Sequence, residues 1–150
     1  MRYAETGFNL EIDLTRGNIE KVASDPKDTE LYLGGLGTNA NIMWDWVSPE
    51  TQAFDPENLL IFGAGLLCGT PATGCNRTIL TTISPQTKLL AFSMMGGFWA
   101  PELKYAGYDK VIFRGKSDKL VYIYINNDNV EIRDAAHLHG KGSIESAEII

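Results

Sequence analysis

Short apolar and β-branched segments, each ended by turn-forming residues, recur along most of the chain and leave few folds open to it. In residues 8–14 apolar and polar side chains alternate, which is typical of a strand with one buried face. The run Leu59 to Phe62 is continuously apolar and predicts a strand covered on both faces. The other predicted strands are residues 19–22, 77–83, 88–93, 110–114, 120–125 and 130–133. Turn residues join three consecutive pairs of these segments, so we expect hairpins.

Helix signals are fewer and span shorter stretches. Asp25 followed by Pro26 is typical of a helix start, and the glycines at 34 and 35 end that helix. Further helices are predicted at residues 39–47, 100–106 and 143–150. The last one meets no stop signal, so we expect a chain cut off near its C-terminus. Without a linker or repeat, the pattern predicts one α+β domain over residues 1–150.

Composition excludes several classes of function. A net charge of −6 and a hydrophobic content of 44% describe an acidic, well-solvated domain that would repel nucleic acid. No apolar run approaches the roughly 20 residues of a membrane-spanning helix. Residues 1–6 lead into a strand pattern rather than an apolar signal segment, so we expect a cytoplasmic location. In that compartment Cys68 and Cys75 are expected to be reduced rather than bridged.

Three glycine-bearing loops are the candidate binding elements, at residues 34–37, 68–77 and 94–99. Glycines let backbone amides approach a ligand closely, but ordinary turn glycines remain the commoner interpretation for the first loop. That loop follows a helix, so it is not a dinucleotide-binding fingerprint. Arg77 ends the second loop. Its guanidinium could hold a phosphate or ring heteroatoms, or it could be a solvated arginine at the margin of a sheet.

Signals for metal ligation or nucleophilic catalysis are weak. The six residues between Cys68 and Cys75 exceed the spacing usual in zinc and iron–sulfur knuckles. His137 and His139 stand in a polar context that predicts an exposed loop. No Gly-x-Ser-x-Gly elbow is present. The residues alone therefore give no signature of a metal-ligating or nucleophilic group.

A resemblance rests on motifs spread over nearly the whole chain. They are residues 33–37 (LGGLG), 55–58 (DPEN), 65–72 (GLLCGTPA), 76–77 (NR), 96–109 (GGFWAPELKYAGYD) and 121–124 (VYIY). In this order they resemble the aldehyde ferredoxin oxidoreductase family. The resemblance implies the N-terminal domain of that family, in which two β-sheets and a few short helices cradle a tungsten bis-pterin (tungstopterin). It also implies a [4Fe–4S] cluster whose ligands, like the catalytic groups, lie outside these residues.

The same resemblance implies roles for five residues. Arg77 matches an arginine that lies between the pterin and the cluster and can hydrogen-bond both. Met94 matches the position whose backbone carbonyl binds a magnesium ion that bridges the pterin phosphates, and a hard cation accepts carbonyl oxygen whatever the side chain. Gly96 matches a pterin-contacting glycine. Asn76 and Gly97 complete the expected cofactor-binding set.

Departures from the family pattern narrow the resemblance. Leu66 replaces a proline, the two cysteines are added, and methionines occupy positions 94 and 95. These features resemble the active-site subunits of class II benzoyl-CoA reductases, which imply reduction of the aromatic ring of benzoyl-CoA. Aldehyde oxidation and a non-catalytic scaffold domain remain alternatives, as does molybdenum in place of tungsten. The implied partners are the remaining domains of the enzyme, a ferredoxin-like iron–sulfur electron-transfer subunit and a second copy in a homo-oligomer.

Overall fold

A computed structural model describes residues 4–150. The prediction that residues 1–6 are not a signal segment therefore falls partly outside the described residues, because residues 1–3 are not among them. The strands are β1 Phe8–Asp13, β2 Asn18–Ala23, β3 Leu60–Ala64, β4 Thr78–Ile83, β5 Leu90–Met95, β6 Lys110–Arg114, β7 Val121–Asn126 and β8 Asn129–Asp134. The helices are α1 Pro26–Tyr32, α2 Leu36–Trp46, α3 Trp99–Tyr105 and α4 Ser143–Ile149, with a 3₁₀ turn at Ala136–Leu138.

Six strands form one mixed sheet in the order β2-β1-β6-β3-β4-β5, and β7 and β8 form a separate hairpin. Only the β1–β6 pair of the large sheet is parallel. The three predicted hairpins, β1–β2, β4–β5 and β7–β8, are confirmed. So is the α+β class with two sheets and a few short helices.

Three local predictions need correction. Met94 and Met95 belong to β5 rather than to a loop, because they continue the ladder to β4. Helix α2 begins three residues early, because Gly35 ends the turn before it and its carbonyl accepts from the Asn39 amide. Strand β3 is central and Ile61 is fully buried, but Leu60 is 39% exposed. An open apolar groove of about 670 Å³, lined in part by Leu60, leaves that face incompletely covered.

The core lies on both faces of the large sheet. Helix α2 covers one face through a cluster of Ile42, Met43, Leu59, Ile61 and Ile112. Helix α3 and the β7–β8 hairpin pack on the other face, around a cluster of Leu10, Ile12, Leu103, Tyr108 and Val111. Among residues 4–150 no helix is long and apolar enough to cross a membrane.

One glycine sets how closely α2 approaches the sheet. A Cβ on Gly63 of β3 would lie 2.5 Å from the amide oxygen of Asn39, which is fully buried. The Asn39 amide nitrogen donates to the carbonyl of Ile79, at 3.2 Å, and to the hydroxyl of Thr81, at 3.1 Å. The helix is therefore fastened to β4 across the space that Gly63 leaves open.

Candidate functional site

The candidate loops leave the large sheet at one edge, the one formed by the ends of its strands. Strand β3 ends there at Ala64, beside the start of β4 at Thr78. The last residue of β5, Met95, pairs with Thr78 from the other side. Strand β6 also begins at this edge, where Lys110 pairs with Gly63. Gly63 and Lys110, which are 47 positions apart in the chain, thus meet at the ends of neighbouring strands.

Four of the five predicted cofactor-binding residues follow directly from the end of the β4–β5 ladder. The last pair is Thr78 with Met95, so Asn76 and Arg77 lead into this pair on one strand, and Gly96 and Gly97 follow it on the other. All four are exposed. Met94 is one row inside the ladder, opposite Ile79, and is 50% exposed. The structure therefore brings the five residues into one patch, which we call the β4–β5 end.

The first glycine loop joins this patch through close backbone packing. A Cβ on Gly34 would lie 3.2 Å from the amide nitrogen of Leu66, and one on Gly35 would lie 3.4 Å from the side chain of Ile79. Ile79 is the strand partner of Met94. The turn between α1 and α2 therefore lies over the same strands as the β4–β5 end.

The second glycine loop is held by a buried thiol. The sulfur of Cys68 lies 2.6 Å from the carbonyl oxygen of Cys75 and 3.5 Å from that of Arg77. Burial raises the pKa of the Cys68 thiol, so it stays protonated and can donate. Both cysteines are free thiols. Cys68 therefore restrains the backbone that presents Asn76 and Arg77.

A groove of about 520 Å³ opens beside the β4–β5 end. Its lining includes Gly74, Asn76, Phe98 and Tyr105. Phe98 is 80% exposed and Tyr105 is 64% exposed, so the groove has apolar walls that face outward. Such a concave surface suits a flat ligand with a polar margin.

Charge at this edge is uneven. Arg77 is exposed and forms no ion pair with another residue in the range 4–150. Lys104, by contrast, pairs with Asp109 at 2.6 Å, and both side chains are largely buried. Burial alone would raise the pKa of Asp109, but hydrogen bonds from Lys104, Thr6 and Gly7 outweigh it and hold the pKa below its usual value. Arg77 is therefore a cation available to an anionic ligand.

Within residues 4–150 no group of three or more His, Cys, Asp or Glu side chains is placed to hold a metal ion. His137 and His139 are exposed around the 3₁₀ turn, as predicted. The ring of His137 packs edge-on against Tyr122, with 6.4 Å between ring centroids. The residues at this edge can therefore bind a ligand, through backbone groups, glycines and one arginine.

Sequence reasoning missed one pair at this edge. Lys110, only 6% exposed, donates to the hydroxyl of Thr38 at 2.7 Å. The two residues are 72 positions apart, and no local pattern connects them. A lysine directly before the apolar run Val111 to Phe113 is the one hint the sequence contains.

Known proteins match the chain over nearly its whole length. The tungsten-containing aldehyde ferredoxin oxidoreductases of Pyrococcus horikoshii and Pyrococcus furiosus are 40% identical over 135 residues and 36% identical over 148 residues, which are 90% and 99% of this chain. A solved structure titled as the active site complex BamBC of benzoyl coenzyme A reductase with 1,5-dienoyl-CoA is 80% identical, with a TM-score of 0.97 over 99% of this chain. The chain spans only 22% to 24% of the length of these proteins.

The family follows from a match that leaves out only the first eight residues. A family model described as the N-terminal domain of aldehyde ferredoxin oxidoreductase covers residues 9–150. The members named above are tungsten oxidoreductases by description. This chain belongs to the aldehyde ferredoxin oxidoreductase N-terminal domain family.

Proposed function

We propose that this chain is the cofactor-cradling N-terminal domain of a tungsten bis-pterin, iron–sulfur oxidoreductase, the active-site subunit of a benzoyl-CoA reductase. The complete enzyme would reduce the aromatic ring of benzoyl-CoA to a cyclohexadiene carboxyl-CoA. The observation that carries this proposal is the 80% identity to the BamBC structure over 99% of the chain. The aldehyde oxidoreductases are only about half as similar.

The β4–β5 end fits a bulky anionic cofactor. A Cβ at Gly96 or Gly97 would meet nothing within 4 Å, so a ligand can approach the backbone there. Strand β5 is the outermost strand of the sheet, and an outermost strand presents carbonyl groups that no neighbouring strand uses. Arg77 supplies the positive charge. These three properties are what a pterin with phosphate groups and a bridging cation needs from its support.

Each residue then has a defined task. Arg77 would hydrogen-bond the pterin and bring positive charge toward the iron–sulfur cluster. The backbone carbonyl of Met94 would be a ligand of magnesium, which prefers oxygen donors. Gly96, Gly97 and Asn76 would shape the surface on which the pterin rests. Tungsten and the cluster would supply the redox chemistry, with ligands outside these residues.

Partners follow from the apolar surface. Large hydrophobic side chains are unusually exposed, among them Trp44 at 86%, Phe54 at 85% and Phe98 at 80%. Exposed apolar area of this extent is typical of surfaces that another domain or subunit covers. We therefore propose further domains of the same enzyme, an iron–sulfur electron-transfer subunit and a homo-oligomer, in the cytoplasm.

A second candidate is the oxidation of aldehydes to carboxylic acids, favoured by the names of the relatives at 36% to 40% identity. The test is metal analysis of the longest natural form of the chain, purified without oxygen, followed by assays with benzoyl-CoA and with aldehydes. We expect tungsten, iron and magnesium, together with ring reduction. Aldehyde oxidation without ring reduction would favour the second candidate. Absence of both metals and pterin would favour a scaffold domain.

Arginine variants test the site itself. We expect Arg77→Gln to lower the pterin and tungsten content of the purified enzyme, and Arg77→Lys to lower it less because the charge remains. Arg16→Gln is the matched control, because Arg16 is an exposed arginine in the β1–β2 turn at the opposite edge of the sheet. Equal cofactor content in the Arg77→Gln and Arg16→Gln enzymes would contradict the assignment of Arg77.

A further inference from the structure

The turn between α1 and α2 has an unusual backbone. Leu33, Gly34 and Gly35 are three consecutive residues with positive φ, at 67°, 147° and 54°. Glycine accepts such angles, but a leucine at φ 67° is strained. Strain of this kind persists only where the surroundings over-determine the conformation. Something must therefore hold this turn in place.

A chain of hydrogen bonds leads from the sheet to the turn. The ammonium group of Lys110 donates to the hydroxyl oxygen of Thr38 at 2.7 Å, and that hydroxyl donates to the carbonyl oxygen of Gly35 at 3.3 Å. A threonine hydroxyl has one proton to give. Because Lys110 can only donate, it occupies the acceptor side of the hydroxyl and leaves that proton for Gly35.

Burial strengthens these two hydrogen bonds and removes competing partners. Lys110 is 6% exposed and Thr38 is 2% exposed, so water does not compete for either group. A buried lysine is costly, and burial lowers the pKa of Lys110 to about 8 against the opposing effect of Asp109 and Asp28. A methionine would fill the same volume without that cost. Global stability is thus a poor explanation for a lysine at this position.

We propose that Lys110 is a positioning residue, which acts through Thr38 to hold the strained turn at Leu33 to Gly35 against Leu66 and Ile79, the residues on either side of the second glycine loop. Gly34 of this turn packs on Leu66, and Gly35 packs on Ile79, which is the strand partner of Met94 in the β4–β5 end. The inference deepens the proposed function by naming what fixes one of its glycine loops. The inference concerns the order of the backbone in this turn, and it can be tested without a bound cofactor.

The test is hydrogen exchange of the full chain at pH 7, read at single amides. The reporters are the amide of Gly34, which donates to Tyr32, and the amide of Asn39, which donates to Gly35. The reference is the amide of Val111 in β6. We expect Lys110→Met to speed exchange at both reporters by about tenfold, the effect of one lost buried hydrogen bond, with the reference unchanged. The melting temperature should be unchanged or higher.

Thr38 variants isolate the relay. Thr38→Val removes the hydroxyl at nearly constant volume and should speed the same two amides, whereas Thr38→Ser keeps the hydroxyl and should restore protection. Combining Lys110→Met with Thr38→Val should speed exchange at the two reporter amides no more than either change alone, because both changes break the same chain of hydrogen bonds. Thr38→Val also covers the case in which the lysine variant does not fold.

Unchanged reporter exchange in Lys110→Met, or a rise shared equally by Val111, would overturn the positioning role. Additive effects in the double variant would overturn the route through Thr38. None of these outcomes depends on pterin binding, so they are distinguishable from a failure of the proposed function. An enzyme without tungsten but with a loosened turn in Lys110→Met would refute the function and keep the inference.

Discussion

Replacing Gly63 by alanine should destabilise the chain by steric conflict with one buried amide. The new Cβ would lie 2.5 Å from the oxygen, 2.9 Å from the nitrogen and 3.0 Å from the carbon of the Asn39 amide, whereas ordinary contacts begin near 3.4 Å. The amide would have to retreat by roughly 0.9 Å. It is fully buried, and its bonds to Ile79 and Thr81 are already 3.2 Å and 3.1 Å long.

Overpacking of about 1–3 kcal/mol, together with about 1 kcal/mol for a weakened hydrogen bond, gives an expected loss near 3 kcal/mol. The lower chain entropy of alanine returns only about 0.4–1 kcal/mol. Urea unfolding of the full chain, followed by circular dichroism, measures the difference. Gly96→Ala is the matched control, because its Cβ would meet nothing within 4 Å.

An Asn39→Ala background separates the cause. If the conflict lies with the amide, Gly63→Ala should cost less than about 1 kcal/mol once the amide is gone. A full cost in that background would refute the reasoning. So would a loss no larger than that of Gly96→Ala.

Three further predictions concern titration and reactivity. The pKa of Lys110 is about 8 in the fold, below the 10.5 of an ordinary lysine, so the unfolded chain holds the extra proton between those pH values and stability should rise with pH in that window. The difference in the free energy of unfolding between the parent chain and Lys110→Met, measured with urea, should change by up to about 3 kcal/mol across the window, and a flat difference would contradict this prediction. The pKa of Asp109 lies below the 3.8 of an ordinary aspartate, which gives stability that is present above pH 3.8 and lost as the pH falls through the pKa of the folded state. Asp109→Asn should therefore flatten the acid unfolding profile below pH 3.8, and an unaltered profile would count against the pair with Lys104. Iodoacetamide should modify Cys75 before Cys68 in the native chain, because Cys68 is 2% exposed and burial raises the pKa of its thiol. Mass spectrometry identifies the labelled cysteine, and labelling of Cys68 first would show that the second glycine loop is open.

Local patterns were sufficient for most of the elements. The alternation in residues 8–14, the Asp25–Pro26 start of α1 and the turn residues of the hairpins each depend on neighbours a few positions away. Asp25 caps α1 as its sequence indicates, by accepting from the amide of Lys27 at 2.9 Å. Errors arose where a boundary depended on a distant partner, as when pairing with Ile79 drew Met94 into β5.

The candidate site was named from the sequence only through the family resemblance. Spacing alone left Arg77 undecided between a ligand-binding group and a solvated arginine, since a side chain at a strand end can serve either purpose. The ladder between β4 and β5 ends at the pair of Thr78 with Met95, which places Arg77 and Gly96 directly beyond that pair. Which roles these residues perform remains a prediction.

The sequence by itself determined the strands, the hairpins and the α+β class, because hydrophobic period and turn chemistry act between near neighbours. Tertiary structure alone decided that β6 lies between β1 and β3, that three glycine loops meet at one edge, and that Lys110 reaches Thr38. Such contacts join residues far apart in the chain. They are selected by the packing that buries both faces of the sheet at once, a condition that no local segment contains.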